Sequence, residues 1–185
     1  MLDDSKPIRF GVVSDTHIPD RARSLPENVL NGLRNANVDL IFHAGDVSCL
    51  KVIHTLEKIA PVKTVQGNRD WFLGLSFPKQ ISLSYFGINL VLTHGHRSVI
   101  NYLFDKWAIL REGYQFSRYQ KLLAQDFPLS DIIIFGHTHR QEIRWVEGQL
   151  FFNPGAAYPC KYNQYHPQFG ILAINPNGEI QANGY

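Results

Sequence analysis

The chain has 185 residues, of which 44% are hydrophobic and 18% are charged, and its formal net charge is +2. The length suits one compact domain, and the apolar content excludes a disordered chain because it suffices to form a core. The small net charge does not favour a dedicated nucleic-acid binder. Two distant cysteines exclude a disulfide framework, and no apolar stretch is long enough for a membrane helix.

The first part of the chain predicts alternating strands and helices. Apolar runs rich in β-branched residues predict strands at 8–13, 39–43 and 62–65. The spacing of apolar residues predicts helices at 26–33 and 49–60. Repeated strand–turn–helix units of this kind indicate parallel strands in one sheet.

The pattern changes after residue 80. Two runs at 81–85 and 88–92 predict a β-hairpin with its turn at Phe86-Gly87. Residues 98–126 show helical spacing, with a break expected at Glu112-Gly113. The remaining predicted strands lie at 131–135, 141–146, 149–152, 168–174 and 178–182.

Five predicted strands end in the same way, because each apolar run soon gives way to Asp, Asn or His beside a small residue. Ligands bind at the carboxyl ends of strands in open α/β sheets, so these ends are expected to converge. The Asp-x-His and His-x-His pairs are expected to place two side chains on one side of an extended backbone. The candidate residues are Asp15, His17, Asp46, Asn68, Asp70, His94, His96, His137 and His139.

This residue set has the chemistry of a transition-metal site. Imidazoles and carboxylates together suit Mn, Fe, Ni, Co or Zn, and the lack of nearby thiolates argues against a structural zinc site. The donors outnumber the ligands that one tetrahedral zinc accepts. Two cations that share a bridging carboxylate are therefore the simplest explanation.

The motifs resemble those of the calcineurin-like metallophosphoesterase superfamily, and more narrowly its small phosphodiesterase branch of the YfcE type. The matching segments are Ser14-Asp15-Thr16-His17, Ala44-Gly45-Asp46, Gly67-Asn68-Arg69-Asp70, Thr93-His94-Gly95-His96, Gly136-His137-Thr138-His139 and a turn at Asn153-Pro154-Gly155. The resemblance implies an α/β (α+β) fold, a four-layer sandwich in which two facing mixed β-sheets are flanked by helices. Residues 1–185 would form a single metallophosphoesterase domain with a helical insertion at about 97–128.

The resemblance also implies a dinuclear metal site and a reaction. The ligands of the first ion would be Asp15, His17 and His139, those of the second ion Asn68, His94 and His137, and the bridging ligand Asp46. The two divalent transition-metal ions are expected to be Mn, with Fe, Ni and Zn as alternatives. The implied activity is hydrolysis of a phosphoester, above all a phosphodiester, by a hydroxide that both metals activate.

Arg69 departs from the wider superfamily, many of whose members carry His there as the proton donor to the leaving group. A guanidinium stays charged and cannot be a general acid, but it can bind phosphate through two N–H groups. His96 is then the remaining candidate for the proton donor. The predicted catalytic residues are therefore Asn68, Arg69 and His96, and diesters or activated esters are favoured as substrates.

Two other functions stay open. One is a non-catalytic metal-binding scaffold that resembles the retromer scaffold subunit, and the other is a nuclease, which the small net charge disfavours. The expected partner is a small-molecule phosphoester, with neither nucleic acid nor membrane expected and a homo-oligomer left open. Residues 1–6 lack the features of a signal peptide, so a cytoplasmic location is expected.

Three further features have two interpretations each. His43 is expected either to orient a metal ligand or simply to pack in the core. Asp70 is expected to stabilise a turn or to support a metal ligand rather than to bind metal itself. The aromatic segment 102–119 either leans over the metal site or covers a sheet as part of an amphipathic helix pair.

Overall fold

The computed structural model describes residues 5–95, 111 and 113–185. His96, and residues 97–110 and 112 of the helical insertion predicted at about 97–128, lie outside the described residues. The described residues form ten strands in two five-stranded sheets, with four α-helices. None of these helices is long and apolar enough to cross a membrane.

The first sheet contains the predicted parallel strands. Its members are β1 (Ile8–Val13), β2 (Leu40–His43), β3 (Val62–Thr64), β9 (Gly170–Ile174) and β10 (Ile180–Gly184). They lie in the order β10-β9-β1-β2-β3. Strands β1, β2 and β3 are parallel, as predicted, and β9 and β10 add an antiparallel edge.

The second sheet is also mixed. Its members are β4 (Gln80–Tyr85), β5 (Ile88–Thr93), β6 (Ile132–Ile134), β7 (Gln141–Val146) and β8 (Gln149–Pro154), in the order β4-β5-β6-β8-β7. Strands β5, β6 and β8 are parallel. The hairpin between β4 and β5 is confirmed, and both Phe86 and Gly87 have positive φ, at 52° and 81°.

The turn predicted at Asn153–Gly155 begins later than expected. Asn153 and Pro154 continue β8, where they pair with Glu142 and Gln141 of β7. The prediction was wrong here because Pro154 follows Phe152, the last residue of β8 that pairs with β6, so the proline lies past the interior of the sheet, where a strand can retain it. Only Gly155 has the positive φ, 83°, that turns the chain.

Four helices connect and cover the sheets. They are α1 (Glu27–Asn35), α2 (Leu50–Leu56), α3 (Asn68–Phe72) and α4 (Phe116–Asp126). Helix α2 ends before the predicted residue 60, and the chain turns toward Pro61, which disfavours helical backbone at the residue before it. Helix α3 was not predicted, because five residues are too few to show helical periodicity.

Buried side chains divide the molecule into four layers. Phe10 and Phe42 of the first sheet meet Leu92, Ile134 and Phe152 of the second sheet in the central core. The Phe10 and Phe42 rings stack with their centroids 4.9 Å apart. Alternate residues of the same strands point to the opposite faces, as strand geometry requires.

The outer faces of both sheets are covered by helices. Leu33 of α1 and Leu56 of α2 pack against Ile41 on the first sheet. Leu123 of α4 packs against Ile133 on the second sheet. The predicted four-layer sandwich is confirmed. More than half of the aromatic segment 102–119 lies outside the described residues, and both of its interpretations stay predictions.

Candidate metal centre

The carboxyl ends of the central strands bring the predicted side chains together. Four of them form a buried floor: Asp15, His17, Asp46 and His94. Three others are partly exposed and form the rim: Asn68, His137 and His139. The cluster therefore joins the ends of β1, β2 and β3 in one sheet with the ends of β5 and β6 in the other, and it opens toward solvent on the rim side.

The backbone that carries these side chains is not extended. Residues with left-handed φ are Asp15 (50°), His17 (48°), Asp46 (57°), His137 (71°) and His139 (58°). The expectation that an extended strand aligns each pair is therefore wrong. The paired side chains converge because the chain turns sharply after each strand. Such backbone costs about 1–3 kcal/mol per residue and is typical of functional sites.

Asp70 holds two of these turns in place. Its carboxylate accepts hydrogen bonds from the backbone N–H groups of Asp46 (3.0 Å), Ser48 (2.7 Å) and Gly67 (2.9 Å). A Cβ atom at Gly67 would collide with the backbone nitrogen and the carboxylate of Asp46. Asp70 therefore stabilises a turn, as expected, and glycine is required at position 67 because the two loops nearly touch.

Asn153 holds the loop that carries His137 and His139. Its side-chain amide donates to the carbonyl of Gly136 (2.8 Å) and to the hydroxyl of Thr138 (3.0 Å). Its oxygen accepts from the N–H of Gly155 at 2.9 Å. Sequence reasoning assigned Asn153 only to a turn, although the Asn-Pro-Gly motif was the signal that could have identified it.

The first group of donors consists of Asp15, His17 and His139. The Nε2 atoms of His17 and His139 lie 3.2 Å apart, and Asp15 Oδ1 lies 3.3 Å from His139 Nε2 and 3.9 Å from His17 Nε2. Asp15 Oδ1 is buried and has no hydrogen-bond partner. Two nitrogen ligands of one tetrahedral zinc lie about 3.4 Å apart. The spacing and the unpartnered oxygen fit a cation bound between these three side chains.

The second group consists of Asn68, His94 and His137. Asn68 Oδ1 lies 3.2 Å from both His94 Nε2 and His137 Nδ1. His94 Nδ1 lies 2.6 Å from the carbonyl oxygen of Ala44. If Nδ1 donates to this carbonyl, Nε2 keeps its lone pair for a cation. The group thus offers one amide oxygen and two imidazole nitrogens toward a common point.

Asp46 lies between the two groups. Its Oδ2 lies 3.5 Å from His17 Nε2, and its Oδ1 lies 3.6 Å from His94 Nε2. Oδ1 also accepts a hydrogen bond from the backbone N–H of Arg69 at 2.8 Å. One carboxylate oxygen therefore faces each group, which is the position that a bridging ligand needs.

The electrostatics of the cluster favour positive charge. Burial alone would raise the pKa of Asp15, but the charges of His139, His94 and His17 hold it well below its ordinary value. Burial raises the pKa of Asp46 to about 6, although His94 opposes the shift. Burial would lower the pKa of His139, yet the charge of Asp15 raises it to about 10. A metal ion that binds His139 would therefore compete with the proton on its ring.

His43 contacts the cluster only indirectly. It is buried, and its Nε2 lies 3.2 Å from the hydroxyl of Thr16, which donates to the carbonyl of Val47 at 3.1 Å. Burial lowers the pKa of His43 to about 4, so the ring is neutral at neutral pH. His43 therefore supports the loop between Asp15 and His17 rather than offering a ligand.

Arg69 lies on α3 beside the cluster. Its backbone contacts Asp46, while its guanidinium forms an ion pair with Asp20 in the loop after β1. Both of the paired side chains are partly exposed. Binding of phosphate by Arg69 would therefore require the guanidinium to share or exchange its partner. His96, the predicted proton donor, lies outside the described residues.

Tyr158 and Arg21 are neighbours of the cluster that sequence reasoning missed. The Tyr158 ring packs edge-on against His17 and His139, with centroid distances of 5.3 and 5.6 Å. Its hydroxyl accepts a hydrogen bond from Arg21 at 2.9 Å. Neither residue belongs to a motif, so the sequence carried no signal for them.

Comparisons with known proteins point to one family. The model of the calcineurin-like phosphoesterase superfamily domain matches residues 8–177. A probable metallophosphoesterase of Methanothermobacter thermautotrophicus is 37% identical over 167 residues, which cover 90% of this chain and 86% of the relative. A phosphodiesterase of Methanocaldococcus jannaschii is 26% identical over 181 residues, which cover 89% of this chain and 92% of the relative.

A solved structure supports the fold. Vacuolar protein sorting 29 of Cryptosporidium parvum superposes with a TM-score of 0.73, and the match covers 97% of each chain. The two sequences are 20% identical, so this likeness concerns the fold alone.

Proposed function

The chain belongs to the calcineurin-like phosphoesterase superfamily, and on that premise we propose that it is a metal-dependent phosphodiesterase with two divalent transition-metal ions. The observation that carries the proposal is the position of Asp46, whose two carboxylate oxygens face separate groups of donors. A lone structural metal would not need such an arrangement.

The proposed ligand set follows the two groups of donors. The first ion would be bound by Asp15, His17 and His139, the second by Asn68, His94 and His137, and both by Asp46. Asp15 Oδ1 supports the assignment, because it is buried, accepts no hydrogen bond and faces the imidazoles of His17 and His139 that would share its cation. The mixture of imidazole and carboxylate donors suits Mn, our first choice, and also Fe, Ni and Zn.

The residues at the rim would position the substrate. The bound ions would supply an activated water molecule and neutralise charge on the phosphoryl group. Asn68 can direct its amide N–H toward a phosphoryl oxygen while its carbonyl oxygen faces the histidines. Arg69 can bind a second phosphoryl oxygen when its guanidinium turns from Asp20. Esters with good leaving groups are favoured because Arg69 cannot donate a proton.

The proposed substrate is a small-molecule phosphodiester in the cytoplasm. Cys49 and Cys160 are both free, as in proteins of reducing compartments. A net charge of +2 does not favour a long nucleic acid as the substrate.

Hydrolysis of bis(p-nitrophenyl) phosphate with added Mn²⁺ tests the proposal. We expect Asp46→Asn to lower kcat/KM by at least about 100-fold, because it removes the shared carboxylate. Glu27→Gln on α1 is the matched control, since it makes the same change at an exposed position, and it should retain the wild-type rate. Equal rates for wild type and Asp46→Asn would overturn the proposal.

A non-catalytic scaffold is the second candidate function. It is favoured by exposed apolar side chains directly after Asn68, at Trp71, Phe72 and Leu73. A scaffold of this kind would hydrolyse no phosphoester and would keep a stable protein partner that Trp71→Ser releases. Turnover that depends on Asp46 would exclude it as the main function.

A further inference from the structure

A half-buried arginine, Arg140, directly follows the loop that carries His137 and His139. The guanidinium carbon of Arg140 lies 4.8 Å from the ring centroid of Tyr114 and 5.0 Å from that of Tyr162. No carboxylate in the described part of the chain forms an ion pair with it. Glu142, two residues along, instead accepts a hydrogen bond from Arg144 at 2.7 Å.

The two tyrosine rings leave the hydrogen-bonding edge of Arg140 available. A guanidinium is planar, and its N–H groups all point outward in that plane. Aromatic rings contact the flat faces of a guanidinium through cation–π interactions. They do not accept hydrogen bonds from the N–H groups along the edge of the guanidinium. Tyr114 and Tyr162 therefore hold the charge in place without satisfying its donors. A partly desolvated cation in this state favours an anionic ligand.

Arg140 is connected to the rim of the metal centre through the ring of Tyr162. The Tyr162 ring lies 6.1 Å from that of His139, a partly exposed residue of the rim. The ammonium group of Lys161 lies 4.9 Å from the same Tyr162 ring. Two cations therefore lie around one exposed ring beside His139. A substrate that extends from the centre past His139 would therefore meet this ring and its two cations.

The segment that carries Tyr162 is held rigidly. Asn163 is buried and accepts a hydrogen bond from the N–H of Cys160 at 2.9 Å. Its amide donates to the carbonyl oxygens of Ala156 (3.0 Å) and Tyr158 (2.7 Å). The ring that positions Arg140 is thus part of a preformed turn, which lowers the ordering cost of binding.

We propose that Arg140, assisted by Lys161, binds a second anionic group of the substrate. The preferred substrates are then phosphodiesters that carry a further phosphate or carboxylate beyond the scissile group. A terminal phosphate suits the guanidinium edge best, because it can accept two parallel N–H bonds. This inference rests on the proposed phosphodiesterase function and narrows its substrate class.

Two matched substrates test the inference. They are the p-nitrophenyl esters of thymidine 5′-phosphate with either a hydroxyl or a phosphate at the 3′ position. We expect wild-type kcat/KM to be about tenfold or more higher for the 3′-phosphate, as one charge-assisted contact allows. In Arg140→Gln this ratio should fall to about one, and Arg140→Lys should restore part of it. Arg144→Gln, a nearby arginine that pairs with Glu142, should keep the wild-type ratio.

Binding without hydrolysis separates this inference from the proposed function. Calorimetry with thymidine 3′,5′-bisphosphate in the presence of a chelator should show an affinity about tenfold weaker in Arg140→Gln than in Arg144→Gln. An unchanged ratio and unchanged affinity in folded Arg140→Gln would overturn the second anion site, even if both esters are hydrolysed. If neither ester is hydrolysed but binding still depends on Arg140, the anion site stands and the phosphodiesterase proposal fails.

Discussion

The hydroxyl of Tyr158 lies 3.2 Å from Nδ1 of His139, the ring nitrogen opposite the one that faces Asp15. The same hydroxyl accepts a hydrogen bond from Arg21. Such contacts on the far side of a histidine fix the ring orientation and its tautomer. Tyr158 is therefore positioned to direct Nε2 of His139 into the cluster.

Tyr158→Phe should weaken metal binding at the first group of donors. The variant keeps the ring that packs on His17 and His139 but removes the hydroxyl that contacts His139 and accepts from Arg21, so His139 loses the contact that orients it. We expect affinity for one of two Mn²⁺ ions to fall about 10–100-fold, with the other unchanged. A competition titration against a chelating dye measures both steps. Tyr165→Phe, at an exposed residue, is the control, and two unchanged affinities in Tyr158→Phe would contradict the role.

Gly67→Ala should disrupt the metal centre. The added Cβ would meet the backbone and carboxylate of Asp46, so the loops after β2 and β3 must separate. We expect loss of bound Mn²⁺ and a fall of more than about 2 kcal/mol in the free energy of unfolding, as for other strained sites. Gly74→Ala is the control. Its Cβ would meet nothing within 4 Å, and its positive φ predicts a loss of about 1 kcal/mol with full metal content.

His43 should contribute to the pH dependence of stability. Burial lowers its folded pKa to about 4, below the ordinary value of 6.5, so the unfolded chain binds a proton first as the pH falls. The contribution is therefore complete above pH 6.5 and is lost as the pH falls toward 4. Its loss amounts to about 3 kcal/mol across that range.

Urea denaturation in chelator at pH 4.5 to 7 would measure this effect. We expect the free energy of unfolding to depend less steeply on pH in His43→Gln than in the wild type. His54→Gln, at an exposed position, should keep the wild-type slope. Equal slopes for wild type and His43→Gln would show that burial of His43 does not control the transition.

Metal removal should destabilise the folded protein. A metal that binds only the folded state at about 100 times its Kd adds about 3 kcal/mol per site. Addition of Mn²⁺ to chelator-treated protein should therefore raise Tm, and Ca²⁺, which prefers oxygen ligands, should raise it less. Asp15→Asn should abolish most of the Mn²⁺ effect, and an equal rise in that variant would point to binding elsewhere.

Strand positions could be predicted because their apolar runs are long and bounded by polar residues. β1 begins and ends at the predicted residues, and the convergence of Asp15 with Asp46 follows because the parallel strands β1 and β2 end at one edge of the first sheet. Only the resemblance to a known family predicted that the strand ends of both sheets would form one site. Nothing in the composition of either half alone required their ends to meet.

Other features were beyond sequence reasoning for physical reasons. The spacing of Asp15 and His17 fits both an extended strand and a turn with left-handed φ, so the pattern could not distinguish them. Tyr158 and Arg140 act through contacts made only after folding, and tyrosine and arginine are common on surfaces. Their roles depend on three-dimensional neighbours that no local pattern encodes.

Anomalous diffraction from crystals grown with Mn²⁺ would test the paired-ion site most directly. We expect two manganese peaks about 3.5–4 Å apart, one on each side of the Asp46 carboxylate. The first should lie among Asp15, His17 and His139. A single peak, or manganese bound away from Asp46, would contradict this expectation.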